Sequence, residues 1–126
     1  MRLIKAGDGL FRQPPAPNSP TVTVVAGGEP DGPDVGLVRV DVPAGGGMAP
    51  HKHNGSDVIL APVAGVVRIR KGEESVDVGV GDSILIGKEE TVSLANPGDI
   101  TAHLIVAAGP TDFIAAIRAW PAPRES

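Results

Sequence analysis

The stretch Gly45–Gly65, GGGMAPHKHNGSDVILAPVAG, decides how this chain is read, because two of its three histidines stand in it as His51-Lys52-His53. In an extended strand, side chains two residues apart point to the same face. The imidazoles of His51 and His53 are therefore expected side by side, with Lys52 turned away. Imidazole is the commonest side-chain ligand for transition ions, so the pair is a candidate metal or polar binding feature.

The runs on either side have the character of strands. Val38, Val40 and Val42 alternate with Arg39 and Asp41, and Val67 and Ile69 alternate with Arg68 and Arg70, giving each run one wet and one dry face. Strands are expected over 21–26, 36–42, 51–60, 65–71, 75–80, 83–86, 91–95 and 100–107. A hairpin at 71–74 should join Ile69 to a second dry face of Val76, Val78 and Val80. The chain holds 17 glycines and 13 prolines, which punctuate these runs at Pro14-Pro15, Gly27-Gly28, Gly32-Pro33, Gly45-Gly46-Gly47 and Pro97-Gly98, as in an all-β sandwich or barrel. No internal repeat is present.

Two segments carry a resemblance to a known family. Gly45 to Gly65 resembles the first cupin motif, G-x5-H-x-H-x3/4-E-x6-G, and Gly81 to Asn96 (GDSILIGKEETVSLAN) resembles the second, G-x5-P-x-G-x2-H-x3-N. The resemblance implies an all-β fold, the double-stranded β-helix or jelly-roll barrel, here with a short C-terminal helix. It also implies a metal held by four ligands: the two HxH histidines, the glutamate and the second-motif histidine. Counting from Gly81 places that last histidine on Val92, and the Pro and Gly positions on Gly87 and Glu89. Asp57 fits the x3 spacing from His53, but counting back from Gly65 gives Val58 the glutamate position. Val58 is preferred, because a buried strand face tolerates a register slip poorly. Asp57 then points outward, and two ligand positions hold valine.

Composition sets the outer limits. A chain of 126 residues makes a single domain, expected as an N-terminal arm over 1–20, a barrel over about 21–109, and a C-terminal helix and tail over 110–126. A net charge of -4 with 11 Lys and Arg argues against nucleic acid or an anionic membrane as partner. There is no cysteine, which removes disulfides, thiolate metal sites and thiol nucleophiles together. No 18-residue apolar run and no leader-like apolar segment stand in the sequence, and a soluble cytoplasmic protein is expected.

In the tail, Thr111 can cap a short helix with Asp112 in its first turn, and Phe113, Ile114, Ile117 and Trp120 recur at helical spacing before Pro121. That stripe either caps its own barrel or packs on a second subunit, and the family resemblance favours a homodimer. Asn96-Pro97-Gly98-Asp99 is expected as a tight turn; pairing 95 with 100 around it sets His103 opposite Val92 if no bulge intervenes. A His51, His53, His103 triad would suit a single divalent transition ion such as Zn, Fe, Cu, Ni or Mn. The alternative is a hydrogen-bonded His103 on the surface and an HxH pair serving as neutral pocket donors, with no metal.

Three functions stay open from sequence. The first is a small-molecule-binding cupin whose pocket is lined by His51, His53, Val58, Val92 and His103. The second is a metal-dependent enzyme of dioxygenase, isomerase or decarboxylase type using the triad, and the third a structural or regulatory dimer with a vestigial pocket. The absence of tyrosine and scarcity of other aromatics argue against a sugar-stacking site. Two valines at ligand positions favour a partly apolar ligand with one polar end.

Overall fold

The alternating runs fold into ten strands and one helix in a computed structural model that describes residues 1–14 and 16–122. The strands are β1 (Leu10–Arg12), β2 (Thr21–Gly28), β3 (Gly32–Val42), β4 (Gly47–His51), β5 (Asp57–Ala64), β6 (Val67–Lys71), β7 (Glu74–Val78), β8 (Ile84–Ile86), β9 (Val92–Ala95) and β10 (Ala102–Gly109), followed by α1 (Asp112–Arg118). They form a six-stranded antiparallel sheet, β1-β2-β3-β10-β5-β8, and a four-stranded one, β4-β9-β6-β7. Val22, Val38, Val40, Leu60, Leu104 and Val106 from the first sheet meet Val67, Ile69, Val92 and Leu94 from the second in one buried core. This is the expected all-β jelly roll with a C-terminal helix. No helix among the described residues is long and apolar enough to cross a membrane.

Four local expectations need correction. Residues 10–12 of the expected arm form β1, antiparallel to β2. The expected strand 51–60 is two strands in different sheets. Asn54 and Gly55 take positive φ, 55° and 84°, and the Ser56 N–H donates to the His53 carbonyl at 3.0 Å, a hairpin-type turn of the kind Asn-Gly favours. That dipeptide was the available signal. In β7 only Val78 is buried; Val76 is exposed on this free edge of the sheet, and Val80 is exposed beyond the strand's end. Finally, 96–101 does not close a hairpin. It carries the chain from β9 in one sheet to β10 in the other.

Asn96 makes that crossing. Its buried amide nitrogen donates to the carbonyls of Val42, at 3.0 Å, and Ile100, at 2.8 Å, while its oxygen accepts the Gly98 N–H at 2.9 Å. Every polar atom of the side chain is thereby used, and two backbone carbonyls that the turn cannot pair internally are satisfied.

Helix α1 closes one end of the sandwich. Ile114 and Ile117 are buried against the core, and Phe113 and Trp120 pack on it in part, so the stripe caps its own barrel. Ile114 fits because Gly36 lies beneath it; a Cβ there would stand 2.2 Å from Ile114 Cδ1 and 2.6 Å from the Ala26 carbonyl oxygen. Arg118 fixes the far end, donating to the Gly27 carbonyl at 2.9 Å and reaching Asp31 at 3.3 Å. The Gly27 N–H and Arg2 together hold the Asp31 carboxyl below its usual range. Thr111 occupies the cap position, but its hydroxyl donates to the Gly32 carbonyl instead of the helix. Ser56 supplies the missing acceptor, taking the Phe113 N–H at 3.0 Å while donating to the Pro110 carbonyl.

Replacing Asn96 should unsettle the whole crossing. Asn96→Ala leaves the Val42 and Ile100 carbonyls without their donor, and the expected loss is about 2–3 kcal/mol of stability in urea unfolding. A loss below 0.5 kcal/mol, on the order of a neutral surface change, would show that water replaces the amide there.

Candidate functional site

His51 is the last residue of β4, opposite Val92 of β9, and Met48 is opposite Leu94. All four side chains line the same cavity. Met48 and His51 are three residues apart, an odd separation that would put them on opposite faces of a regular strand. A bulge at Ala49-Pro50 restores the parity. Proline is tolerated there because β4 is an edge strand. Within the bulge the Ala49 carbonyl accepts a bond from His51 Nδ1 at 2.8 Å. A carbonyl can only accept, so Nδ1 carries the proton, and Nε2 of the neutral ring is a lone-pair acceptor.

His53 follows in the turn and is almost fully covered, at 5% exposure. Its ring meets His51 edge-on, centroids 4.9 Å apart at 70°, and Phe113 of α1 in the same manner, 4.9 Å apart at 77°. Ser56 holds Phe113 in that position through the bond to its N–H, so the turn after β4 and the helix are set by one hydroxyl. His53 Nδ1 is buried and has no hydrogen-bond partner. Burial first, and repulsion from His51 second, push the His53 pKa down to about 4, which keeps the ring neutral at pH 7.

The cavity is about 50 Å³. Apart from the two imidazoles its wall is apolar: the barrel supplies Val58, Val92, Leu104 and their neighbours, and the helical end supplies Phe113, Ile117 and Trp120. An adjoining cleft of about 170 Å³ shares Ile69, Ile86 and Val92 with it and opens beside the Lys71–Glu90 ion pair. No arginine or lysine lines the inner cavity. Lys52 lies outside, 3.9 Å from Glu89.

Four of the five residues expected from sequence, His51, His53, Val58 and Val92, are thus brought together, and His103 is not. The expectation that His103 faces Val92 fails because β9 and β10 belong to different sheets. His103 lies on the outer face of the six-stranded sheet opposite Asp41, its Nδ1 2.6 Å from the carboxylate. Asp57 also points outward, accepting the Lys88 N–H at 2.9 Å, while Val58 is buried. Sequence reasoning did not place Met48, Phe113 or Trp120 in the pocket. For the last two the helical stripe was the signal, read as packing alone.

The residues present do not fit the four-ligand metal centre that the fold family implies. Its carboxylate and third-imidazole positions hold the methyl groups of Val58 and Val92, and among the described residues no three His, Asp or Glu side chains come together in a metal-holding arrangement. Two imidazoles, one already bonded to a carbonyl, leave most of a transition ion's shell unfilled.

The buried imidazole gives the fold a pH dependence. In the unfolded chain His53 takes up a proton near pH 6.5, which the folded chain refuses until about pH 4. Stability should therefore fall as pH drops below 6.5, by at most about 1.4 kcal/mol per pH unit, and the loss should level off below 4. Urea midpoints measured from pH 7 to 4 should show this slope, reduced in His53→Phe; an unchanged slope in the variant would assign the effect to other groups.

Comparison with known proteins follows the same lines. No family model and no curated protein matches the chain. Solved structures do. The KdgF protein of Halomonas sp. superposes with a TM-score of 0.71 at 19% identity, over 86% of this chain and 94% of its own. A predicted oxalate decarboxylase from Thermotoga maritima gives a TM-score of 0.74 at 16% identity, over 86% and 99%. The Cnp3 cupin domain of Schizosaccharomyces pombe gives 0.64 at 14% identity, over 79% and 66%. At such identities the likeness is one of fold, and the fold this chain shares with them is the cupin β-barrel.

Proposed function

We propose that this protein binds a small, mainly apolar molecule in the inner cavity, with His51 and His53 meeting the ligand's polar end. The observation that carries this reading is the orphaned Nδ1 of His53. A buried polar atom without a partner costs about 1–3 kcal/mol, and a leucine at the same place would cost nothing of the kind. A ligand that bonds to it relieves that cost. The apolar wall supplies affinity by burial, at about 25 cal/mol for each Å² removed from water.

The size of the cavity limits the occupant. At about 50 Å³ it holds a few heavy atoms, and larger ligands must extend toward the adjoining cleft past Ile69, Ile86 and Val92. The enzyme reading with a three-histidine metal site is disfavoured by the position of His103 on the outer face. The reading as a structural module with a vestigial pocket makes a different forecast, since a vestigial pocket answers to no ligand.

Trp120 is the only tryptophan and lines the cavity, so its fluorescence reports on occupancy directly. A panel of small apolar fragments carrying one polar group should include members that shift Trp120 emission and the ring resonances of His51 and His53 at millimolar concentration. Silence across the panel in both signals would favour the vestigial pocket.

The metal question has its own substitution. Val58→Glu with Val92→His restores the donors missing from the wall and should raise Zn(II) affinity by at least a hundredfold over the native chain, measured by calorimetry, because two donors replace methyl groups. Native protein purified with near-stoichiometric metal would overturn the choice made here.

A further inference from the structure

The donor and acceptor pattern of the two imidazoles restricts the ligand class further. His51 is fixed by the Ala49 carbonyl, so in its neutral form it offers the pocket an acceptor at Nε2 and no donor. His53 adds a buried nitrogen with no partner, Nδ1. No lysine or arginine lines the cavity to neutralise a carboxylate or phosphate, and the valines at positions 58 and 92 supply no donor to a metal that could do so. An anion brought into this wall would be stripped of water without compensation, at a cost of several-fold to many-fold in affinity.

A single hydroxyl group satisfies both imidazoles at once, since it has one proton to give and lone pairs to accept with. From this pattern we infer that the ligand is an uncharged hydroxyl compound, an aliphatic alcohol or a phenol, whose O–H donates to Nε2 of His51 and whose oxygen accepts from the single ring N–H of neutral His53. The inference rests on the reading of the cavity as a small-molecule site and adds the chemical class of its occupant. Ethers lack the donor, and carboxylates bring an uncompensated charge. The apolar part of the molecule lies against Val58, Val92, Leu104 and Phe113. The two rings, packed edge-on against each other and with His53 against Phe113, are held in place before the ligand arrives, which lowers the entropy lost on binding.

Three compounds of nearly equal size separate the possibilities: 1-butanol, methyl propyl ether and butyrate, each titrated into the full-length protein at pH 8 while Trp120 emission and the imidazole resonances are followed. Butanol should bind about tenfold more tightly than the ether, the order expected for one buried acceptor left unmet, and butyrate should not bind detectably. In His51→Phe the preference for alcohol over ether should disappear while apolar binding persists. Ether binding equal to butanol in the native protein would overturn the hydroxyl assignment and leave the cavity reading intact. Butyrate binding more tightly than butanol would overturn it in favour of an anion site. If none of the three moves either signal while other apolar fragments do, the hydroxyl assignment falls alone; if no fragment of any kind moves them, the binding reading falls with it.

Discussion

The amide of Asn96, donating to the carbonyls of Val42 and Ile100, decides what the mouth of this barrel contains. Because those bonds close a crossing between sheets and not a hairpin within one, β9 pairs with β4 and β6, and β10 with β3 and β5. Val92 consequently stands opposite His51, and His103 is carried to the other sheet's outer face. The chemistry available at the site follows from a buried side-chain amide 43 residues beyond His53 in the chain. A buried amide with all its bonds made specifies one arrangement strongly, since any other leaves it or its partners unsatisfied.

Much of this was legible in the sequence, for a definite reason. Period-2 alternation fixes which side of a strand is dry, so Val38, Val40, Val42, Val67 and Ile69 were assignable to the interior without any knowledge of topology. The resemblance carried by the glycines and the HxH pair implied the fold, and counting back from Gly65 in that motif gave the inward Val58 and the outward Asp57. What alternation cannot give is which strands are neighbours. Pro97-Gly98 looks the same whether the chain folds back on its own sheet or passes to the next, and the difference displaced His103. Nor can alternation foresee the bulge at Ala49-Pro50, although proline next to a strand-end histidine is where a bulge is tolerated. The Asn54-Gly55 turn was readable and was overlooked because a continuous strand accounted for the HxH geometry equally well.

The helix illustrates a second limit. Its apolar spacing showed that one face would be buried, and it is, on Gly27 and Gly36, whose lack of side chains lets Ile114 approach the backbone. The same spacing gave no indication that Phe113 would meet His53, because that contact depends on the Ser56 hydroxyl reaching the first turn from a loop more than fifty residues earlier in the chain. Packing and site formation are here one event: the bond that caps α1 also places the aromatic edge against the buried imidazole.

Stability alone does not account for a histidine at position 53. A neutral imidazole in an apolar wall surrenders its hydration, and one of its nitrogens recovers nothing from the protein. Among the described residues no other buried side-chain nitrogen or oxygen lacks a partner, those of Asn96 and Ser56 included, so the sequence is able to satisfy a buried group where only folding is at stake. An unsatisfied atom in a chain otherwise consistent from local propensity to packing marks a place where another demand outweighs stability. On the reading proposed for the cavity, that demand at His53 is a bond to a ligand from outside the chain. The cavity lining offers that ligand no carboxylate and no cation, which on the same reading favours a group that shares a proton without carrying a charge.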